Sequence, residues 1–307
     1  MRAANATTMK RDGGASSVYP VAAVSPGGSI GVICGGGSFP GAVAEAISRA
    51  GRRPVLFALR GWADPAVVER HAHHWIAIGQ LGRFLRLAES EGCREVVIIG
   101  TLLRPPLSAI RLDWATLRRL PRIARAFRGG DNRLLTAVAS MIEEGGVHVV
   151  GVEDVAPEII APEGVLGRCQ PSPRDRADIA HGLELITALA PFDIGQAAVV
   201  ADNHVLAVEA AEGTDNMLAR VAELRAQKRV STALGVGTLV KAPKQGQDRR
   251  IDLPAIGRQT IENAARAGLA GVAIVAGGTI VAQIDQTIAA ADKAGIFLMG
   301  VREDAER

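Results

Sequence analysis

From residue 29 onward, short apolar runs alternate with amphipathic stretches, the pattern of parallel strands joined by helices. An apolar run at 30–34 leads into three glycines and then an alanine-rich helical stretch to Ala50, where Gly51 supplies the C-terminal cap. That succession opens a βαβ unit. Residues 54–59 and 75–78 predict two further strands, 81–90 a helix stopped at Gly92, and 96–99 a buried strand. Helices are predicted over 114–127 and 132–144, with Gly129 and Gly130 between them, and 147–151 reads as the last strand of this half.

Over 161–174 the periodicity fails among Pro162, Gly164, Gly167, Pro171 and Pro173. The pattern beyond it differs: a helix over 175–189, then strands at 197–200 and 205–210 about a hairpin turn at 201–204. A helix follows from Thr214, then strands near 236–241 and 272–276, a tight turn at Gly277 and Gly278, and a last helix and strand ending at Gly300. The expected fold is α/β: a Rossmann-like N-terminal domain with a parallel sheet at 28–163, a linker at 164–174, and a mixed α/β C-terminal domain at 175–307.

Composition narrows the class. The chain has 307 residues, of which 48% are hydrophobic and 22% charged, so it is globular and long enough for two domains. Its longest apolar runs fall far short of the ~20 residues a membrane-spanning helix needs. Cys34, Cys93 and Cys169 stand in no metal or redox spacing, which points to a reducing cytoplasm. The net charge of +3 is carried by arginine, and aromatics make only 3% of the chain, which argues against a nucleic-acid partner. Residues 1–27 hold Lys10 and Arg11 without the apolar segment of a secretory signal, and read as a disordered extension.

Candidate chemistry lies at four places. Gly35, Gly36, Gly37 and Ser38, between the first strand and first helix, suit a phosphate through exposed backbone N–H groups; tight packing is the other reading. Pro40 stands where a dinucleotide fingerprint has its third glycine, and the second strand ends at 58–60 without a ribose-binding carboxylate, so NAD is disfavoured. Glu209, Glu212 and Asp215 crowd a strand-to-helix corner where Thr214 can cap the helix; the carboxylates either hold a divalent cation or favour the helix N-terminus. Lys241 and Lys244 flank Pro243 and can hold a diphosphate, while Asp252, before Pro254, either caps a following helix or activates a water.

Arg118, Arg122, Arg125, Arg128 and Arg133 recur at helical spacing beside Trp114, Leu117, Leu120, Ile123 and Phe127. Such a helix lies on a membrane surface, lines a lipid groove, or packs on the sheet with a solvated arginine face. His71, His73 and His74 have no carboxylate or cysteine spaced to complete a metal site.

Gly35 to Gly37, residues 192–196 (FDIGQ), 207–210 leading into Glu212, Gly213, Thr214 and Asp215, residues 241–244 (KAPK), and 252–254 (DLP) with Gly257 together resemble one family. It is the UDP-2,3-diacylglucosamine pyrophosphatases of the type unrelated to metallophosphoesterases, and the likeness runs in order over 30–301. The resemblance implies Mg²⁺-dependent hydrolysis to UMP and 2,3-diacylglucosamine 1-phosphate (lipid X) in lipid A biosynthesis, with water attacking the sugar-side phosphorus. It also implies that the substrate sits between the two domains and that the aspartate of the DLP motif, here Asp252, is tied to catalysis. Lys241 and Lys244 join it as candidate catalytic residues, Gly35, Gly36, Gly37, Ser38 and Thr214 as phosphate contacts, and Glu212, Asp215 and Asp252 as metal ligands. The expected setting is the cytoplasm, peripheral on the inner membrane, with a homodimer as the commonest oligomer. The alternatives are a non-catalytic carrier of a UDP-lipid or lipid phosphate and, less favoured, a nucleotide-dependent oxidoreductase.

Overall fold

A computed structural model of the chain describes residues 28–102, 110–127, 131–244, 246 and 248–303; the expectations for residues 1–27, Arg128, Gly129 and Gly130 lie outside them. The first half runs β1 (Ser29–Cys34), α1 (Phe39–Arg49), β2 (Arg53–Leu59), α2 (Pro65–Val68), β3 (His73–Ile76), α3 (Leu81–Ser90), β4 (Cys93–Ile99), α4 (Trp114–Leu117), α5 (Leu120–Phe127), α6 (Asp131–Glu143), β5 (His148–Val149) and α7 (Val152–Val155). Its five strands form one parallel sheet in the order β3-β2-β1-β4-β5. Helices cover both faces, which is why these strands read as continuous apolar runs. Ile30, Val32, Leu56 and Val97 pack with Val43 and Ile47 of α1 on one face. Ile33, Phe57 and Val96 pack with Phe84 of α3 and Ile142 of α6 on the other.

The second half runs β6 (Gly164–Val165), α8 (Pro173–Leu189), β7 (Ala197–Ala201), β8 (His204–Val208), α9 (Gly213–Ala226), β9 (Thr238–Lys241), β10 (Ala255–Ile256), α10 (Arg258–Arg266), β11 (Gly271–Val275), β12 (Ile280–Val281), α11 (Ile284–Ala294) and β13 (Phe297–Val301). Its main sheet is mixed, in the order β6-β13-β11-β9-β7-β8, with the three central strands parallel and β6, β7 and β8 antiparallel to their neighbours. Met217, Leu218 and Val221 of α9 and Ile261 of α10 cover one face; Ile179 and Ile186 of α8 cover the other.

Ile251, Leu253, Ala255 and Ile280 belong to the second half in sequence but pack on the first sheet. Leu253, Ala255 and Ile280 join the α1 face, and Ile251 joins the α3 face. Arg250 reinforces this contact: it takes Asp248 with two nitrogens, at 3.0 and 2.7 Å, and donates to Glu143 at 2.8 Å and to the Val149 carbonyl. Ala161 N donates to Thr279 O at 2.8 Å beside it.

Three local expectations give way to the structure. The helix predicted over 114–127 is two helices, because Pro121 has no N–H to give and its ring clashes with the turn before it. No helix follows Pro254: Ala255 and Ile256 pair instead with Ile280 and Val281, and the next helix starts at Arg258 with Gly257, not Asp252, at its N-cap. Nor does Thr214 cap α9, whose N-cap Glu212 has no side-chain capping bond. The hairpin turn at 201–204 forms as read. Asp202 and Asn203 both adopt positive φ, and the buried Asp178 carboxylate accepts both of their N–H groups. Gly164 and Val165, in the stretch read as linker, pair with β13, and Pro173 opens α8. Among the described residues no helix is long and apolar enough to cross a membrane.

Candidate active site

In the first sheet the chain leaves β1 to one side and β4 to the other, and a doubly wound sheet opens its ligand crevice at the carboxyl ends of such a strand pair. Here the two ends are stitched together. Gly35 N donates to Ile99 O at 2.9 Å, Gly36 N to Thr101 O at 2.8 Å, and Thr101 N back to Gly36 O at 2.9 Å. A Cβ on Gly35 would stand 2.7 Å from the Thr101 oxygen and 2.8 Å from the Gly100 carbonyl, so this glycine serves close backbone approach. The N–H groups of Gly35 and Gly36 are therefore spent within the fold, contrary to the reading that exposes them to a phosphate.

A cavity of about 640 Å³ opens against this crevice and takes its walls from both halves of the chain. One wall is apolar: Ile33, Leu59, Ile98, Leu134 and Leu135, with Leu102 at its edge. The other is polar: Gln196, Glu209, Thr214, Asp215, Lys241 and Asp252.

The polar wall is ordered by one hydrogen-bonded chain. Glu209 follows β8 and is buried; its Oε2 accepts from Gln196 N at 2.9 Å and its Oε1 from Thr214 Oγ1 at 2.7 Å. Thr214 Oγ1 in turn accepts from Lys241 Nζ at 2.9 Å, and Nζ also donates to Ala255 O at 2.9 Å. Lys241 ends β9, is buried, and still carries a third N–H for a ligand. Burial pushes its ammonium below the usual lysine range, and the carboxylates of Glu209, Asp215 and Asp252 oppose that shift. Loss of solvent is the larger effect.

The structure brings together some of the residues singled out by sequence and separates others. Asp252, Lys241, Thr214, Asp215, Glu212 and Gly35 line the cavity; Lys244, Gly36, Gly37 and Ser38 do not. Lys244 Nζ lies 2.7 Å from Asp193 Oδ1, at the turn before β7. Glu212 is held by Arg220 at 2.6 Å, and its own backbone N–H, ahead of that guanidinium, keeps its carboxyl below the usual range. Asp215 accepts from Asn263 Nδ2 at 2.6 Å. Among the described residues no three His, Cys, Asp or Glu side chains form a group able to hold a metal ion by themselves. Two of the three histidine rings are engaged locally, His74 with Glu91 and His73 with the His71 carbonyl.

Sequence reasoning missed two parts of the site. Glu209 entered only as one of a crowd of carboxylates, yet alternation along β8 puts it on the same face as the buried Ala207, a signal that the side chain points inward. The apolar wall from α6, Leu134 and Leu135, lies in a helix to which the sequence analysis assigns no part in the site.

Residues 29–159 match the family description "LpxI N-terminal domain" and residues 162–299 "LpxI C-terminal domain". A curated relative from Caulobacter vibrioides, named UDP-2,3-diacylglucosamine pyrophosphatase LpxI, is 42% identical over 272 residues, covering 89% of this chain and 97% of the relative. The two domain matches in succession and the near full-length likeness place this chain in the LpxI family.

Proposed function

We infer that the chain is a UDP-2,3-diacylglucosamine pyrophosphatase of lipid A biosynthesis, releasing UMP and 2,3-diacylglucosamine 1-phosphate from its substrate. The observation that carries the reading is a cavity lined both by an apolar wall and by a buried lysine among carboxylates. Two acyl chains need the first, at ~0.8 kcal/mol per buried methylene, and a diphosphate needs the second. On this reading the substrate binds between the two halves of the chain.

The Lys241 ammonium neutralises diphosphate oxygens without reorganising, because Thr214 and the Ala255 carbonyl already hold it. Glu209 accepts a hydrogen bond from the Thr214 hydroxyl, which aims that hydroxyl's lone pairs at the ammonium. Asp252 orients the attacking water and takes its proton, while the new P–O bond forms at the sugar-side phosphorus and the bridging oxygen leaves with UMP. Asp215 and Asp252 offer hard carboxylate oxygens to Mg²⁺, an ion that binds through one or two carboxylates together with substrate phosphates. When bound, that ion supplies further neutralisation of the diphosphate charge. An acyl-bearing substrate also assigns the enzyme to the surface of a membrane, as a peripheral protein.

The test is turnover of UDP-2,3-diacylglucosamine in ¹⁸O-water, with Mg²⁺ and with a chelator. The reading expects UMP release that the chelator suppresses, and label in the lipid phosphate. Label in UMP would move the attack to the other phosphorus, and substrate binding without any UMP would make the protein a carrier.

A further inference from the structure

Of the seven large hydrophobic side chains exposed among the described residues, five fall between 102 and 120: Leu102, Leu112, Trp114, Leu117 and Leu120. Trp114 is the extreme case among these five, 66% exposed, with the Arg118 guanidinium 5.3 Å from its ring centre. This is a held surface. Arg111 N donates to Ile78 O at 2.9 Å and Asp113 N to Gly79 O at 3.0 Å, so the segment is tied to the rim of the first sheet beyond β3. Thr116 Oγ1 accepts from Leu81 N, and Arg119 and Arg122 reach back to Glu144.

Between 110 and 127 there are five arginines and one acid, Asp113. That acid is consumed locally: it accepts from Thr116 N and Oγ1 and from Arg83 N. The surface is thus apolar and cationic at once. Tryptophan and leucine beside arginines with long apolar stems match the boundary of a bilayer, where rings and stems lie among the upper acyl groups and guanidinium groups meet phosphates. A second copy of the chain fits poorly, because an isologous contact would set these arginines against their own images. Leu102, itself exposed, also lines the cavity.

We propose that the face carrying Leu112, Trp114 and Leu117 with Arg118 and Arg125 docks on an anionic phospholipid surface, which sets the cavity mouth against the bilayer. The orientation of the mouth rests on the functional reading above; the docking does not, and its test involves no substrate.

The full-length protein is floated with vesicles of phosphatidylcholine alone and of phosphatidylcholine with phosphatidylglycerol. The wild type is expected to float with the anionic vesicles, and added salt to release it. The double variant Trp114→Ser with Leu117→Ser, and separately Arg118→Gln with Arg125→Gln, is expected to lose roughly tenfold in bound fraction. None of these four residues lines the cavity, so melting temperature and UMP release from detergent-dispersed substrate stay unchanged. Equal flotation with both vesicle types, or wild-type flotation by both variants, overturns the proposal. So does sedimentation as a dimer that Trp114→Ser dissociates, because the face then belongs to a second copy.

Discussion

Lys241 Nζ lies 2.9 Å from Thr214 Oγ1, although the two side chains come from the end of β9 and the first turn of α9. The contact joins the strand that supplies the cation to the helix that supplies Asp215, and Glu209 closes it from the end of β8. Replacing Thr214 by valine keeps the shape and removes the hydroxyl that both groups share. Thr214→Val is expected to lower kcat by roughly tenfold to a hundredfold with a smaller change in KM, as removal of one preorganised polar partner does elsewhere. Lys241→Met should cost at least as much. A kcat for Lys241→Met within about twofold of wild type would show that the ammonium has no role in the reaction.

Leu134 lines the apolar wall without belonging to the main packed clusters. Leu134→Asn should therefore leave the fold intact and raise KM for the diacylated substrate by roughly tenfold, from a few methylenes' worth of lost burial. Affinity for UMP, which has no acyl chain, should stay the same. Calorimetric titration with each ligand separates the two effects, and a parallel loss for UMP would count against an acyl-binding wall.

Burial pushes the thiols of Cys34 and Cys93 up to about 12 and about 11, from an ordinary value of 9.0. Cys93 is pushed further by Glu91 and partly relieved by Arg53. Raised thiol values mean that the unfolded chain loses these protons first as pH rises. The stability they confer is fully present below pH 9.0 and fades as pH climbs toward 11 and 12. Thermal melts across that window should fall, and by less in Cys34→Ala. At neutral pH a thiol reagent should label the half-buried Cys169 before the two buried cysteines.

Much of this was legible in the sequence because periodicity reports burial. The parallel half was readable as continuous apolar runs between amphipathic helices, since strands covered on both faces leave no polar alternation. The turn at Asp202 and Asn203 carried its own chemistry. What was not legible came from contacts distant along the chain. Gly35 looks like a phosphate cradle until the Gly100 and Thr101 backbone is seen against it, and no local pattern announces that approach. Pro254 looks like a helix start because its partner, Ile280, lies 26 positions later, across the site. Lys241 and Lys244 look equivalent in sequence. The end of a strand buries one among carboxylates and leaves the other on Asp193.

The central claim is that Asp252 acts on a phosphoanhydride held in this cavity. Asp252→Asn is nearly isosteric and its backbone N–H already bonds to Asp248 O, so the loop that carries it should remain in place. The decisive measurement is UMP release from UDP-2,3-diacylglucosamine by this variant beside the wild type, with equilibrium binding of the same substrate. The account predicts binding within a few-fold of wild type and turnover reduced by about a thousandfold or more. Turnover within tenfold of wild type, at equal binding, would contradict it.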